Sequence, residues 1–151
     1  MSRADKAVDL FRTGCNCSQA ILGAYAEELG LPVEVAKRLA AGFGGGMGRM
    51  AGTCGAVTGA YMVLGLKFGP EETGDREQNE ALYARLRDFA ARFEAVHRST
   101  CCRDLIQCDV STSDGLAEAR ERHVFATECP KFVKGAAELL DTMLDSGKRR
   151  E

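Results

Sequence analysis

Seven cysteines in 151 residues are the side chains best equipped for chemistry, and their positions narrow what that chemistry is. Cys17 follows "GCN" and opens a helical stretch, while Cys54 follows Gly52 and Thr53 at the head of a long apolar run. Cys102 begins "CRDLIQC", which reads as one short helical turn. Cys129 precedes Pro130, and proline favours the first helical position, so Cys129 reads as an N-cap. Four thiols thus fall at or near predicted helix starts. A helix start has free backbone N–H groups and a partial positive charge. Both favour thiolate over thiol, and thiolate is the form that binds metal or attacks a disulfide. Cys15, Cys101 and Cys108 read as accessory, and a disulfide between the adjacent Cys101 and Cys102 would need a strained eight-membered ring.

Other candidate chemistry is weaker. The stretch Gly42-Phe-Gly-Gly-Gly-Met-Gly48 lacks the lysine and hydroxyl residue that complete a P-loop. Gly46-Met-Gly-Arg-Met-Ala51 approximates the dinucleotide pattern, but that pattern follows a strand and the preceding segment reads as helix. A close-packed connector that lets backbone pass near Cys54 is the better reading. His97, at the end of a long amphipathic helix, and His123, in a polar stretch, read as exposed residues, and no HExxH or CxxCH signature is present. The acid pairs Glu27–Glu28 and Glu71–Glu72 read as solvated faces.

The elements that must position the thiols are all helical, since no period-2 strand pattern stands out. Residues 4–12 form a first helix with Val8 and Phe11 inward, and residues 17–29 a second with Ala20, Ile21, Ala24 and Tyr25 on one face. Pro32 suits the first turn of a third, running to about Gly42. The helix after Cys54 is apolar nearly all round, as befits a central helix, and Gly55 and Gly59, one turn apart, give a groove for a neighbouring backbone. Over 75–98 the spacing of Leu82, Leu86, Phe89, Phe93 and Val96 predicts an amphipathic helix. "SDGLAEARERH" reads as a short surface helix, and Val133, Ala136, Leu140 and Met143 mark the last one. The expectation is an all-α single-domain bundle of about five to seven helices over residues 1–146, with a flexible tail at 147–151.

Composition sets the outer limits. The apolar and charged contents, 45% and 28%, are ordinary for a soluble globular domain. Twenty basic against twenty-two acidic residues argue against a nucleic-acid surface. Arg49 is the one charge between Leu39 and Leu66, but the glycine stretch interrupts this run and the part after Cys54 is short of the ~20 apolar residues a bilayer needs. The start lacks the apolar core of a secretory signal, and an odd cysteine count is unlike a secreted disulfide framework. A cytoplasmic location is expected, with metal or redox use of the thiols.

Taken together, "NCSQA", "GFGGGMGRMAGTCGAVTGA", "CRDL" and "CPKFVKGAAELL" resemble the family of redox-active proteins named for its C-GCAxxG-C-C cysteine signature. The resemblance covers nearly the whole chain, although Thr53 and Gly55 flank the second thiol where the family's name has Gly and Ala. It implies a small helical redox protein whose four recurrent cysteines correspond to Cys17, Cys54, Cys102 and Cys129, with Cys101 as an alternative to Cys102. Three functions follow. The first is electron transfer on an iron–sulfur cluster held by those four thiolates. The second is metal-free thiol–disulfide exchange, with Cys54 attacking and Cys17 or Cys102 resolving. The third is a structural zinc site in a helical interaction protein, with the 75–98 helix serving a partner or a homodimer. The partner in the redox cases is another redox protein or a small thiol or disulfide.

Overall fold

The computed structural model describes residues 1–146; the tail expected at 147–151 lies outside them. Among the described residues the chain is all-α, with no strand beyond one isolated antiparallel bridge between Thr53 and Cys101. The helices are α1 (Arg3–Arg12), α2 (Cys17–Tyr25), α3 (Val33–Ala40), α4 (Gly55–Phe68), α5 (Arg76–His97), α6 (Cys102–Ile106), α7 (Ser113–Glu121), α8 (Val124–Thr127) and α9 (Cys129–Ser146). Short 3-10 turns follow α2 and α3 at Glu27–Leu29 and Ala41–Phe43. Setting aside α6 and α8, of five and four residues, seven longer helices make the bundle.

α4 is its axis. Its first six residues, Gly55 to Ala60, are all buried, as are Val63, Leu64 and Phe68, and it packs against α2, α5 and α9. Each fully buried Val or Leu contributes roughly 1.5–3 kcal/mol by leaving water. The close approach of α2 depends on Gly59, where an added Cβ would meet the Cβ of Ile21 at 2.9 Å and the carbonyl oxygen of Ser18 at 3.0 Å. The groove expected from Gly55 and Gly59 is therefore filled by α2. Farther along, α4 reaches the surface, with Leu66 exposed.

α1 closes one side through Ala4 and Ala7, with Val8 and Phe11 half-buried against the core. The Tyr25 hydroxyl lies 2.8 Å from the carbonyl of Ala137 and 2.8 Å from Oδ1 of Asp141, tying α2 to α9. Val133, Ala136, Leu140 and Met143 are all buried on α9. In α5 the inward stripe departs from expectation at its end. Phe89 and Phe93 are buried but Val96 is 74% exposed. His97 turns inward instead, its ring 4.4 Å from that of Phe93 and 5.5 Å from that of Phe132. A four-residue step keeps a side chain on the same helical face better than a three-residue step here, and Gly135 leaves the room the imidazole occupies. Burial lowers the His97 pKa below its ordinary value.

No helix among the described residues is long and apolar enough to cross a membrane.

Candidate functional site

Each of the four cysteines at a predicted helix start is held by a different local device. Cys17 is the first residue of α2, behind a capping box in which Asn16 Oδ1 accepts the Gln19 N–H and Gln19 Oε1 accepts the Asn16 N–H, both at 2.9 Å. The same two side chains donate to the carbonyls of Ala41 and Lys37, locking the start of α2 onto the end of α3. Cys54 is the N-cap of α4. Its N–H is donated to the Thr100 carbonyl at 2.7 Å, and the Cys102 N–H is donated to the Gly52 carbonyl at 2.7 Å. Two reciprocal backbone bonds thus hold the segments carrying Cys54 and Cys102 side by side. Cys102 opens α6, with Cys101 as its N-cap.

Cys129 differs in detail. It is the first residue of α9 rather than the residue before it, and α8 runs almost directly into that helix. The Glu128 N–H is donated to the Val124 carbonyl at 2.8 Å, so this helix start is less open than the other three.

The glycine stretch forms the wall between them. Gly45, Gly46, Met47, Gly48, Arg49 and Ala51 all have positive φ. The N–H groups of Met47, Gly48, Arg49, Ala51 and Gly52 are donated back to carbonyls of residues 42 to 46. Those donors are used within the coil, as a close-packed connector requires, and are not presented to a phosphate. Gly46 sits so near the returning strand of the loop that a Cβ there would stand 2.5 Å from the Gly52 nitrogen. This coil delivers the chain from the end of α3 to Cys54.

The outcome is one cavity of about 620 Å³ lined by Cys17, Cys54, Cys102 and Cys129 together. Phe11, Leu105, Ile106, Val110, Phe125 and Phe132 supply its apolar wall, and Gly42, Gly44, Gly45, Gly46 and Gly48 also line it. Sequence reasoning missed this apolar wall, which comes from α1, α6, α8 and α9 and has no local pattern of its own.

The thiols differ electrostatically. Cys17 interacts with both Cys129 and Cys54, and those thiol contacts, together with burial, hold its pKa well above the ordinary value. Cys54 moves the other way, chiefly because the Cys17 thiol donates to it, with help from the N–H groups of Ala56 and Val57. Those two N–H groups form no full capping hydrogen bond to the sulfur; the Val57 N–H is donated to the Cys54 carbonyl at 2.9 Å. Their dipoles nevertheless favour the thiolate, as expected at a helix start. Burial, followed by the neighbouring Cys54 and Cys129, pushes the Cys102 thiol up to about 12. Cys54 is therefore a thiol whose pKa is lowered, and Cys17 the thiol that donates to it.

The accessory cysteines are placed apart from this cavity lining. Cys101 donates its thiol to the Ala51 carbonyl at 3.3 Å, so of the adjacent pair Cys102 is the one in the cavity. Cys15 lies half-buried at the edge of the main core. Cys108 is buried in a second cluster with Cys102 and Cys129, and Arg122 Nη1 lies 3.1 Å from its sulfur. Among the described residues, no group of three or more His, Cys, Asp or Glu side chains is arranged to hold a metal ion as it stands. The donor set still matches an iron–sulfur cluster in ligand type and number: four thiols around one cavity.

No curated protein and no solved structure matches the chain. The family described as "Putative redox-active protein (C_GCAxxG_C_C)" matches over residues 15–143. That span takes in most of the sequence and every cysteine in it, and the chain belongs to the C_GCAxxG_C_C family.

Proposed function

We propose that this protein carries electrons on an iron–sulfur cluster held by Cys17, Cys54, Cys102 and Cys129. The observation that supports the reading is that four thiols from four separate segments line a single cavity. Thiol–disulfide exchange needs two, whereas four is the ligand number of [2Fe–2S] and [4Fe–4S] clusters. A lone zinc ion would require all four sulfurs at about 2.3 Å from one point. A cluster instead spreads its thiolate ligands over several irons, which suits thiols distributed around a cavity.

When bound, such a cluster supplies one-electron transfer. The chain's own contribution is to hold and surround it. The helix starts at Cys17 and Cys54 direct backbone dipoles toward the negative charge. Phe11, Ile106 and Phe132 line the cavity beside the sulfurs and would limit the water around a bound cluster. A redox protein or a small thiol or disulfide would exchange the electrons.

The lowered pKa of Cys54 favours a second reading in which the cavity works without metal. The Cys54 thiolate attacks one sulfur of a substrate disulfide, forming a mixed disulfide and releasing the first thiolate, which takes up a proton. Cys17 then loses its proton and attacks the Cys54 sulfur, releasing the second thiolate and leaving a Cys17–Cys54 disulfide. The substrate gains two electrons and the protein loses two.

Anaerobic reconstitution with iron and sulfide separates the two. The cluster reading predicts visible charge-transfer bands with bound iron and labile sulfide. A colourless, iron-free product whose Cys17 and Cys54 oxidise as a pair would contradict it and support exchange.

A further inference from the structure

The cavity is much larger than four sulfurs require. At about 620 Å³ it falls in the range of roughly 300–1,000 Å³ typical of sites for small organic molecules. Three aromatic side chains, Phe11, Phe125 and Phe132, line it along with the thiols, while its glycine wall leaves the backbone accessible. Arg49 is the one charged side chain in the lining, and its guanidinium has no ion-pair or hydrogen-bonding partner among the described residues. Beside it, Gly45 and Gly46 also line the cavity and donate their N–H groups to no acceptor among the described residues. An unpaired guanidinium next to unpaired N–H donors suits an oxyanion, and the aromatic side chains suit a flat apolar body.

We propose that this cavity binds a small organic carboxylate, its apolar body against Phe11, Phe125 and Phe132 and its carboxylate at Arg49. The cysteines then lie along the ligand's flank. The proposal deepens the redox reading, on which it rests for the ligand's role, by naming the class of molecule that reaches the sulfurs. Binding itself needs only the fold, so it is testable apart from any cofactor.

The probe is 2-naphthoate, with the uncharged 2-naphthamide as control. Both are titrated calorimetrically into the full-length, reduced, metal-free protein without oxygen. Naphthoate should bind one to one and about tenfold more tightly than naphthamide, a difference in keeping with one charge-assisted contact. Arg49→Gln should remove that preference, and Arg49→Lys should restore part of it. Phe125→Ala should weaken both probes. Equal affinity for the two probes, no binding of either, or a preference that survives Arg49→Gln would overturn the proposal. If the charge preference is present and no cluster can be loaded, the carboxylate site stands and the cluster reading falls. If the cluster loads and the preference is missing, only the carboxylate site falls.

Discussion

A side chain on Gly55 would put its first carbon 3.0 Å from the Cβ of Cys17 and 3.0 Å from the Ser18 nitrogen. The glycine that follows one thiol is thus what admits the helix carrying the other. This explains why a chain places helix-weakening residues at the head of its central helix. Gly55 and Gly59 together let α2 lie against α4, and that contact brings Cys17 to Cys54.

The contact predicts opposite outcomes for the same substitution at two positions of α4. Gly59→Ala should destabilise by about 1–3 kcal/mol, because the added methyl meets Ile21 and the Ser18 backbone. Gly65→Ala meets nothing within 4 Å and should stabilise by roughly 0.5–1 kcal/mol through helix propensity. Urea midpoints of the two variants check this, and destabilisation of equal size at both positions would contradict it.

Cys54 should alkylate at lower pH than Cys17 or Cys102 in the metal-free protein. Its pKa is lowered from the ordinary 9.0 by the Cys17 thiol and by the start of α4. Iodoacetamide labelling followed by peptide mapping across a pH series gives the order. Cys17→Ala removes the largest cause of the shift, so the labelling midpoint of Cys54 should then rise.

Much of this was legible in the sequence, because the signals are local. The Cys-Pro step placed the start of α9 within one residue. The uncharged run after Cys54 identified the central helix, and the spacing of Phe89 and Phe93 identified the inward face of α5. What could not be read was decided by contacts between distant segments. Val96 and His97 compete for one face, and the space beside Gly135, thirty-eight positions farther along, settles it. The cavity's aromatic wall likewise joins Phe11 to Phe125 and Phe132, which no periodicity connects. Cys101 and Cys102 are adjacent, and only the bridge from Thr53 to Cys101 fixes which thiol turns toward the cavity.

Alkaline pH should destabilise the reduced, metal-free protein. Burial and the neighbouring thiols push Cys102 from an ordinary 9.0 up to about 12. The unfolded chain therefore releases this proton first, and the native state holds more protons between those values. Stability is fully present below about pH 9 and is lost as pH rises toward 12, by about 1.4 kcal/mol per unit for such a thiol. The urea midpoint should fall from pH 8 to pH 10, and less steeply in Cys102→Ala. An identical slope in both proteins would contradict the assignment.

Iron and labile sulfide content, measured after anaerobic reconstitution of seven single Cys→Ser variants, tests the central claim most directly. The account predicts that variants at Cys17, Cys54, Cys102 and Cys129 lose the bound cluster, because serine is a poor ligand for iron in most settings. Variants at Cys15, Cys101 and Cys108 should load like the unmodified protein. Loss of the cluster on changing Cys15 or Cys101, with full loading after changing Cys54 or Cys129, would contradict it.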